Sequence, residues 1–191
     1  LRFQQRVLIP AILCLFCQIS SAQQAADLTA ISPALRSALK STIAQATSFS
    51  DRFDAEVWLI DMSGRIEHLV SDKLERIQIL KAAHSQAALH QLPIDTVLGL
   101  IETESHFNRY ALSPAGAQGL MQIMPFWKLE FGEPVDNLID IDTNIRYGCT
   151  ILKHYLDLEK GNMTKALARY NGSRGKVTYP NKVYQRQKKY Q

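Results

Sequence analysis

The residues best placed to do chemistry lie between Leu98 and Trp127, in the stretch LGLIETESHFNRYALSPAGAQGLMQIMPFW. Glu104 follows Val97 by seven residues, Leu100 by four and Ile101 by three. On a helix that spacing aligns its carboxyl with the apolar stripe. A carboxyl so placed is partly desolvated, which disfavours its charged form and raises its pKa, as a general acid working near neutral pH requires. From spacing alone, the commoner outcome for a glutamate at a helix end is a side chain in water. Glu102 illustrates that outcome. It points about 200° around the helix from Glu104 at roughly 100° per residue, so the two form no tight acid pair. Downstream, Ser113 to Gly119 is a run of small residues that lets backbone pass close to packed helices or to a ligand. In Leu120-Met121-Gln122-Ile123 a polar Gln122 stands between apolar neighbours, either aimed into a cleft or satisfied by backbone.

Helices must position these groups. Leu35, Ala38, Leu39, Ile43 and Ala46 recur at helical spacing over Ser32 to Phe49, with Pro33 in the first turn. Phe53 to Met62 fits helix or strand, and the lack of a nearby strand partner favours helix. Ser71 or Asp72 caps a helix running to about Leu89. The next starts at Pro93 or Ile94 and carries Val97 to Ile101 toward Glu104. Ala111 to Pro125 reads as loop, Asp142 to Leu158 as an amphipathic helix, and Met163 to Tyr170 as a short one. No period-two alternation and no internal repeat is present, so the fold is all-α.

At 191 residues with 46% hydrophobic and 21% charged composition, the chain can bury one real core. Arg2 and Arg6 precede an apolar run from Val7 to Ile19, and Ser20, Ser21 and Ala22 follow, the layout of a secretory signal cleaved near Ala22. The 13-residue run is short of the roughly 20 residues a membrane span needs. Residues 23–70 then read as an N-terminal helical extension and 71–191 as the main domain. Removing residues 1–22 takes Cys14 and Cys17 with it, and Cys149, on an apolar helical face, reads as a buried, inert thiol. The net charge of +4 becomes +2 without Arg2 and Arg6, and Lys165 to Gln191 holds eight Lys or Arg and no acid. That end suits an anionic polymer, or is a solvated tail. It lacks the aromatic and basic interleaving of a nucleic-acid module, so no nucleic acid is expected. His84 and His90 lack metal-ligand spacing, and no metal or other cofactor is expected.

Glu104-Ser105-x-Phe107-Asn108, followed by Ser113-x-x-Gly116-Ala117-x-Gly119-Leu120-Met121-Gln122-x-Met124-Pro125, resembles the signature of the soluble lytic transglycosylases, related to goose-type lysozyme. Ala168-x-Tyr170-Asn171-Gly172 is similar to a second family motif, and Asn144-Ile145-x-x-Gly148 to the helix between them. The resemblance covers roughly residues 75 to 185. It implies a lysozyme-like helical domain with Glu104 as the acid, Tyr170 holding it by a hydrogen bond, and Ser113, Met121, Gln122, Tyr170 and Asn171 binding sugar. The sequence departs from the family where many members carry Glu-Thr-Arg-x-Tyr: it has Gly175-Lys176-Val177-Thr178-Tyr179, with no acid. Arg169 and Ser173 stand where smaller or Gly-Pro residues are common, and Phe126-Trp127 replaces a frequent small polar pair. Trp127 either stacks on a sugar or packs as a core indole.

The implied partner is the glycan strand of peptidoglycan, met in the periplasm or outside the cell, by a monomer; the sequence names no envelope or secretion-machinery partner. Retaining glycosidases need a second carboxylate about 5 to 5.5 Å away, and inverting ones a carboxylate at about 6.5 to 9.5 Å. None stands out, and Asp136, Asp140 and Asp142 read as turn or cap residues. The resemblance supplies the alternative, in which the 6-hydroxyl of the muramyl residue attacks its own anomeric carbon and leaves a 1,6-anhydro end. A hydrolytic muramidase on the same scaffold and a non-catalytic wall-binding protein are the competing readings.

Overall fold

Short polar side chains set the helix starts. Asp72 accepts a hydrogen bond from the Glu75 amide at 2.7 Å, Asp140 from Thr143 at 2.9 Å, and Asn162 from Lys165 at 3.0 Å. Each satisfies an amide that the first helical turn leaves without a partner. The computed structural model describes residues 52–191. The segment read as a secretory signal and the helix expected over Ser32 to Phe49 lie outside them. The described helices are α1 (Arg52–Arg65), α2 (Lys73–Leu89), α3 (Ile94–Ser105), α4 (Trp127–Phe131), α5 (Ile141–Leu158), α6 (Met163–Tyr170) and α7 (Thr178–Gln187). Among the described residues, pairing outside helices is limited to isolated bridges from Gln118 to Leu112 and Ile123. The expected all-α fold is what forms, with α1 as helix rather than strand.

The core is built around α3, which packs against α2 and α7, while α2 packs on α1 and α5, and α6 bridges α5 and α7. Val97, Leu98, Leu100 and Ile101 are all buried, so α3 is covered on every side instead of presenting one apolar stripe. Gly99 permits the closest of these approaches: a Cβ there would lie 2.8 Å from the Gln187 amide nitrogen and 2.9 Å from the Val183 carbonyl of α7. The all-round burial corrects the expectation for Glu102. It is 3% exposed, between α3 and the C-terminal residues, where Lys189 Nζ reaches it at 2.5 Å and the Tyr190 hydroxyl at 2.6 Å.

Residues 52–70 are stitched onto the domain. Arg76 of α2 is buried and donates to the Val70 carbonyl at 2.6 Å, the Ser71 carbonyl at 2.9 Å and Ser63 Oγ at 3.2 Å. Arg65 donates to the carbonyls of Lys189 at 2.7 Å and Gln191 at 3.1 Å. The division read at residue 71 falls in the connection between α1 and α2. No described helix is long and apolar enough to cross a membrane. Cys149 is fully buried and its thiol is pushed up to about 12 by burial, the inert thiol the sequence suggested.

Candidate functional site

Glu104 sits in the last turn of α3, partly buried. Burial pushes its carboxyl above the usual carboxylate range, and a hydrogen bond from the Tyr179 hydroxyl to Oε1 offsets part of that rise. Among the described residues, no second carboxylate is one of the groups that shift it. Among the other acids of the described residues, Glu102 is engaged by Lys189 and Tyr190, Asp95 by Gln187 and Gln191, Asp136 by Tyr147, and Asp140 by its helix cap. The protonated form of Glu104 therefore persists to higher pH than in an exposed glutamate, which equips it to donate a proton.

The backbone turns sharply beside this carboxyl. α3 ends in two successive left-handed residues, His106 at φ 52° and Phe107 at φ 63°. A bulky side chain in that region carries strain that the surroundings must hold. Phe107 is fully buried, its ring edge-on to Tyr190 at 6.1 Å between centroids. Ser105 Oγ donates to the Leu120 carbonyl at 2.8 Å and thus ties the helix end to the Ser113–Pro125 loop. Asn144 of α5 fixes the same loop from the other side, accepting from the Met121 amide at 2.7 Å and donating to the carbonyls of Gln118 at 2.8 Å and Leu138 at 2.7 Å. Gly119, at φ +77°, lies where any Cβ would collide with the Asn144 side chain.

The other residues singled out from sequence fall in different places. Ser113 Oγ accepts from the Ala117 amide at 3.0 Å and closes the turn, staying partly exposed. Gln122, itself at φ 51°, folds back to donate to the carbonyls of Gly119 at 3.0 Å and Ala111 at 3.2 Å, the backbone-satisfied alternative. Asn171 is exposed and caps the end of α6. Met121 is fully buried against Gly148, so its side chain belongs to the core and is withdrawn from any open surface. Tyr170 faces the site, but its hydroxyl donates to the Met121 carbonyl at 2.8 Å. It lies near enough for the charge of Glu104, after burial, to push its phenol well above the ordinary value. The hydrogen bond to Glu104 that the resemblance gave to Tyr170 is made instead by Tyr179, because α7 lies directly on α3 through Gly99.

Residues 81–191 match the family model described as the transglycosylase SLT domain. The chain belongs to that family. Among its relatives, the transglycosylase of Enterobacteria phage PRD1 is 33% identical over 121 residues, covering 60% of this chain and 43% of the phage protein. Membrane-bound lytic murein transglycosylase C of Haemophilus influenzae (strain PittEE) is 34% identical over 97 residues, covering 42% of this chain and 27% of that protein. The chain thus spans less than half the length of these curated relatives. The crystal structure of the 70 kDa soluble lytic transglycosylase of Escherichia coli aligns with a TM-score of 0.40 at 22% identity, over 71% of this chain and 30% of that one.

Within the SLT domain, Tyr179 is the site residue that sequence reasoning missed. Its signal was present: the Glu-Thr-Arg-x-Tyr pattern ends in a tyrosine, and this chain keeps that tyrosine while losing the residues before it. α7 buries only Tyr179, Pro180 and Val183, too few positions to establish a period along the sequence. Trp127 is partly exposed and packs among Phe126 at 5.1 Å, Phe131 at 5.6 Å and Tyr155 at 6.2 Å between ring centroids. Its indole is therefore part of an aromatic cluster at the surface.

Proposed function

We propose that this chain is a peptidoglycan lytic transglycosylase that cleaves the bond between N-acetylmuramyl and N-acetylglucosaminyl residues, with Glu104 as its single acid and base. The observation that carries this reading is the Glu104 carboxyl itself, raised by burial, held by Tyr179 and without a carboxylate partner. Glu104 protonates the glycosidic oxygen as the bond to the anomeric carbon breaks and positive charge spreads over the muramyl ring. The muramyl 6-hydroxyl then bonds to that carbon and gives its proton to the Glu104 carboxylate, which restores the acid. Water is not consumed, so no second carboxylate is needed, unlike in the retaining and inverting hydrolases. The two family motifs and the named activities of the relatives support the same assignment. Ser113, Gln122, Tyr170 and Asn171 are the proposed sugar contacts, and Met121 shapes the loop from within. The work is done in the cell envelope, where the glycan strands are.

The deciding experiment is mass spectrometry of soluble products released from purified peptidoglycan by the protein and by its Glu104→Gln variant. Anhydromuramyl ends are expected, with release lowered by about 10²- to 10⁴-fold in the variant. Reducing ends would make the protein a hydrolase. Release that survives the substitution would remove Glu104 from the chemistry.

A further inference from the structure

The segment in which this chain departs from the family pattern also walls a cavity of about 530 Å³ between the α5–α6 corner and the Arg174–Val177 loop. Three cations line it: Lys165 from α6, and Arg174 and Lys176 from the loop. Its one acid, Glu159, is held below the usual carboxylate range first by the hydrogen bond from Arg169, which makes an ion pair with it, and further by the charges of Lys165 and Arg174. That acid is thus already neutralised and the cavity keeps a positive excess. Ala168 and Val177 add an apolar floor, and Val177 is 57% exposed. Cations around a partly apolar hollow suit a short peptide with carboxylates and small alkyl side chains better than a bare phosphate chain, which offers nothing to the floor. The loop joins Tyr170 to Tyr179, the two tyrosines that face Glu104. A ligand seated in it is therefore coupled through a short stretch of backbone to the catalytic carboxyl.

We infer that this cavity is a subsite for the carboxylates of the peptide stem borne by the glycan, recognised by Lys165, Arg174 and Lys176. The inference rests on the proposed peptidoglycan substrate. Lys165, Arg174 and Lys176 are exposed, so each contact is a solvated ion pair, and the effect is moderate and weakens with salt. The stem extends by at most about 3.6 Å per residue, and the loop that lines the hollow runs between Tyr170 and Tyr179, which face Glu104.

Two measurements on the full chain test it. The first compares cleavage of peptide-bearing strands with that of strands stripped of peptide by an amidase, for the parent and an Arg174→Ala/Lys176→Ala variant. The variant is expected to raise KM about five- to tenfold on peptide-bearing strands and to leave stripped strands unchanged. The second titrates the released stem peptide onto each protein by NMR, with inorganic phosphate as competitor. Binding is expected in the parent, weakened about fivefold or more in the variant and resistant to phosphate at equal concentration. Equal effects on both strand types, no stem-peptide binding, or displacement by equimolar phosphate would each overturn the subsite. Stem binding by a protein that cleaves neither substrate would instead sink the catalytic reading and leave the subsite standing.

Discussion

A carboxylic acid needs two opposed influences to serve as acid and then as base, and Glu104 has both. Burial favours its proton, while the Tyr179 hydroxyl favours the anion left after that proton is given away. Removing the hydroxyl alone separates them. In Tyr179→Phe the Glu104 pKa rises further, so the basic limb of the kcat/KM profile moves to higher pH, while kcat/KM at its optimum falls by about tenfold. An unmoved limb would show that the bond does not set the proton affinity of Glu104. Glu104 was singled out in the sequence by its motif, whereas its phase on the helix alone left a side chain in water as the commoner outcome. Tyr179 was not, because its partner lies 75 residues away and only the packing of α7 on α3 joins them. Glu102 misled for a related reason: helical phase says which way a side chain points, but not which later segment covers it.

The helices with clear periodicity were legible in the sequence, and Asp72 was one of two residues offered as a cap, whereas Asn162, the cap of α6, was not singled out. The five-residue α4 is too short to show a period. The loop between α3 and α4 could be read as close-passing backbone, yet what holds it are side chains of other elements: Ser105 at the end of α3, Tyr170 on α6 and Asn144 on α5. Asn144 meets the Met121 amide and the Gln118 carbonyl of that loop and the Leu138 carbonyl beyond α4, and it is 1% exposed. Asn144→Ala leaves those groups buried without partners, which costs about 2 to 4 kcal/mol. Urea denaturation should show a lower midpoint with an unchanged slope. A change within about 0.5 kcal/mol, the range of an ordinary surface substitution, would mean that the loop is held without Asn144. Reduced turnover should accompany the loss, since Leu120, tied to Ser105, and Met121, tied to Tyr170, flank the proposed site.

Across the described domain, two glutamates on one helix pull the pH dependence of stability in opposite directions. Glu102 fastens the C-terminal residues to α3. Burial raises its pKa, but hydrogen bonds from Lys189 and Tyr190 and the charges of Lys189 and Arg186 outweigh burial and leave it below the ordinary 4.5. A lowered folded pKa means that the unfolded chain binds more protons near pH 4, so this stabilisation is present above about 4.5 and fades as pH falls through the folded value. Glu104 has the reverse sign. Its folded pKa is raised, so the native state holds more protons than the unfolded chain above 4.5, and stability declines as pH rises toward the folded value. The site is thus maintained at a cost near neutral pH that the Glu102 cluster helps to offset. At pH 7, Glu104→Gln should raise the melting temperature and Glu102→Gln should lower it, the latter reflecting a loss of about 1 to 3 kcal/mol of stability for a buried charged acceptor lost. Below pH 4, the gain from Glu104→Gln should vanish, because the parent carboxyl is then protonated in both states. Thermal melts of both variants from pH 3.5 to 8 check the signs, and a Glu104→Gln protein less stable than the parent at pH 7 would refute the strain assigned to that carboxyl.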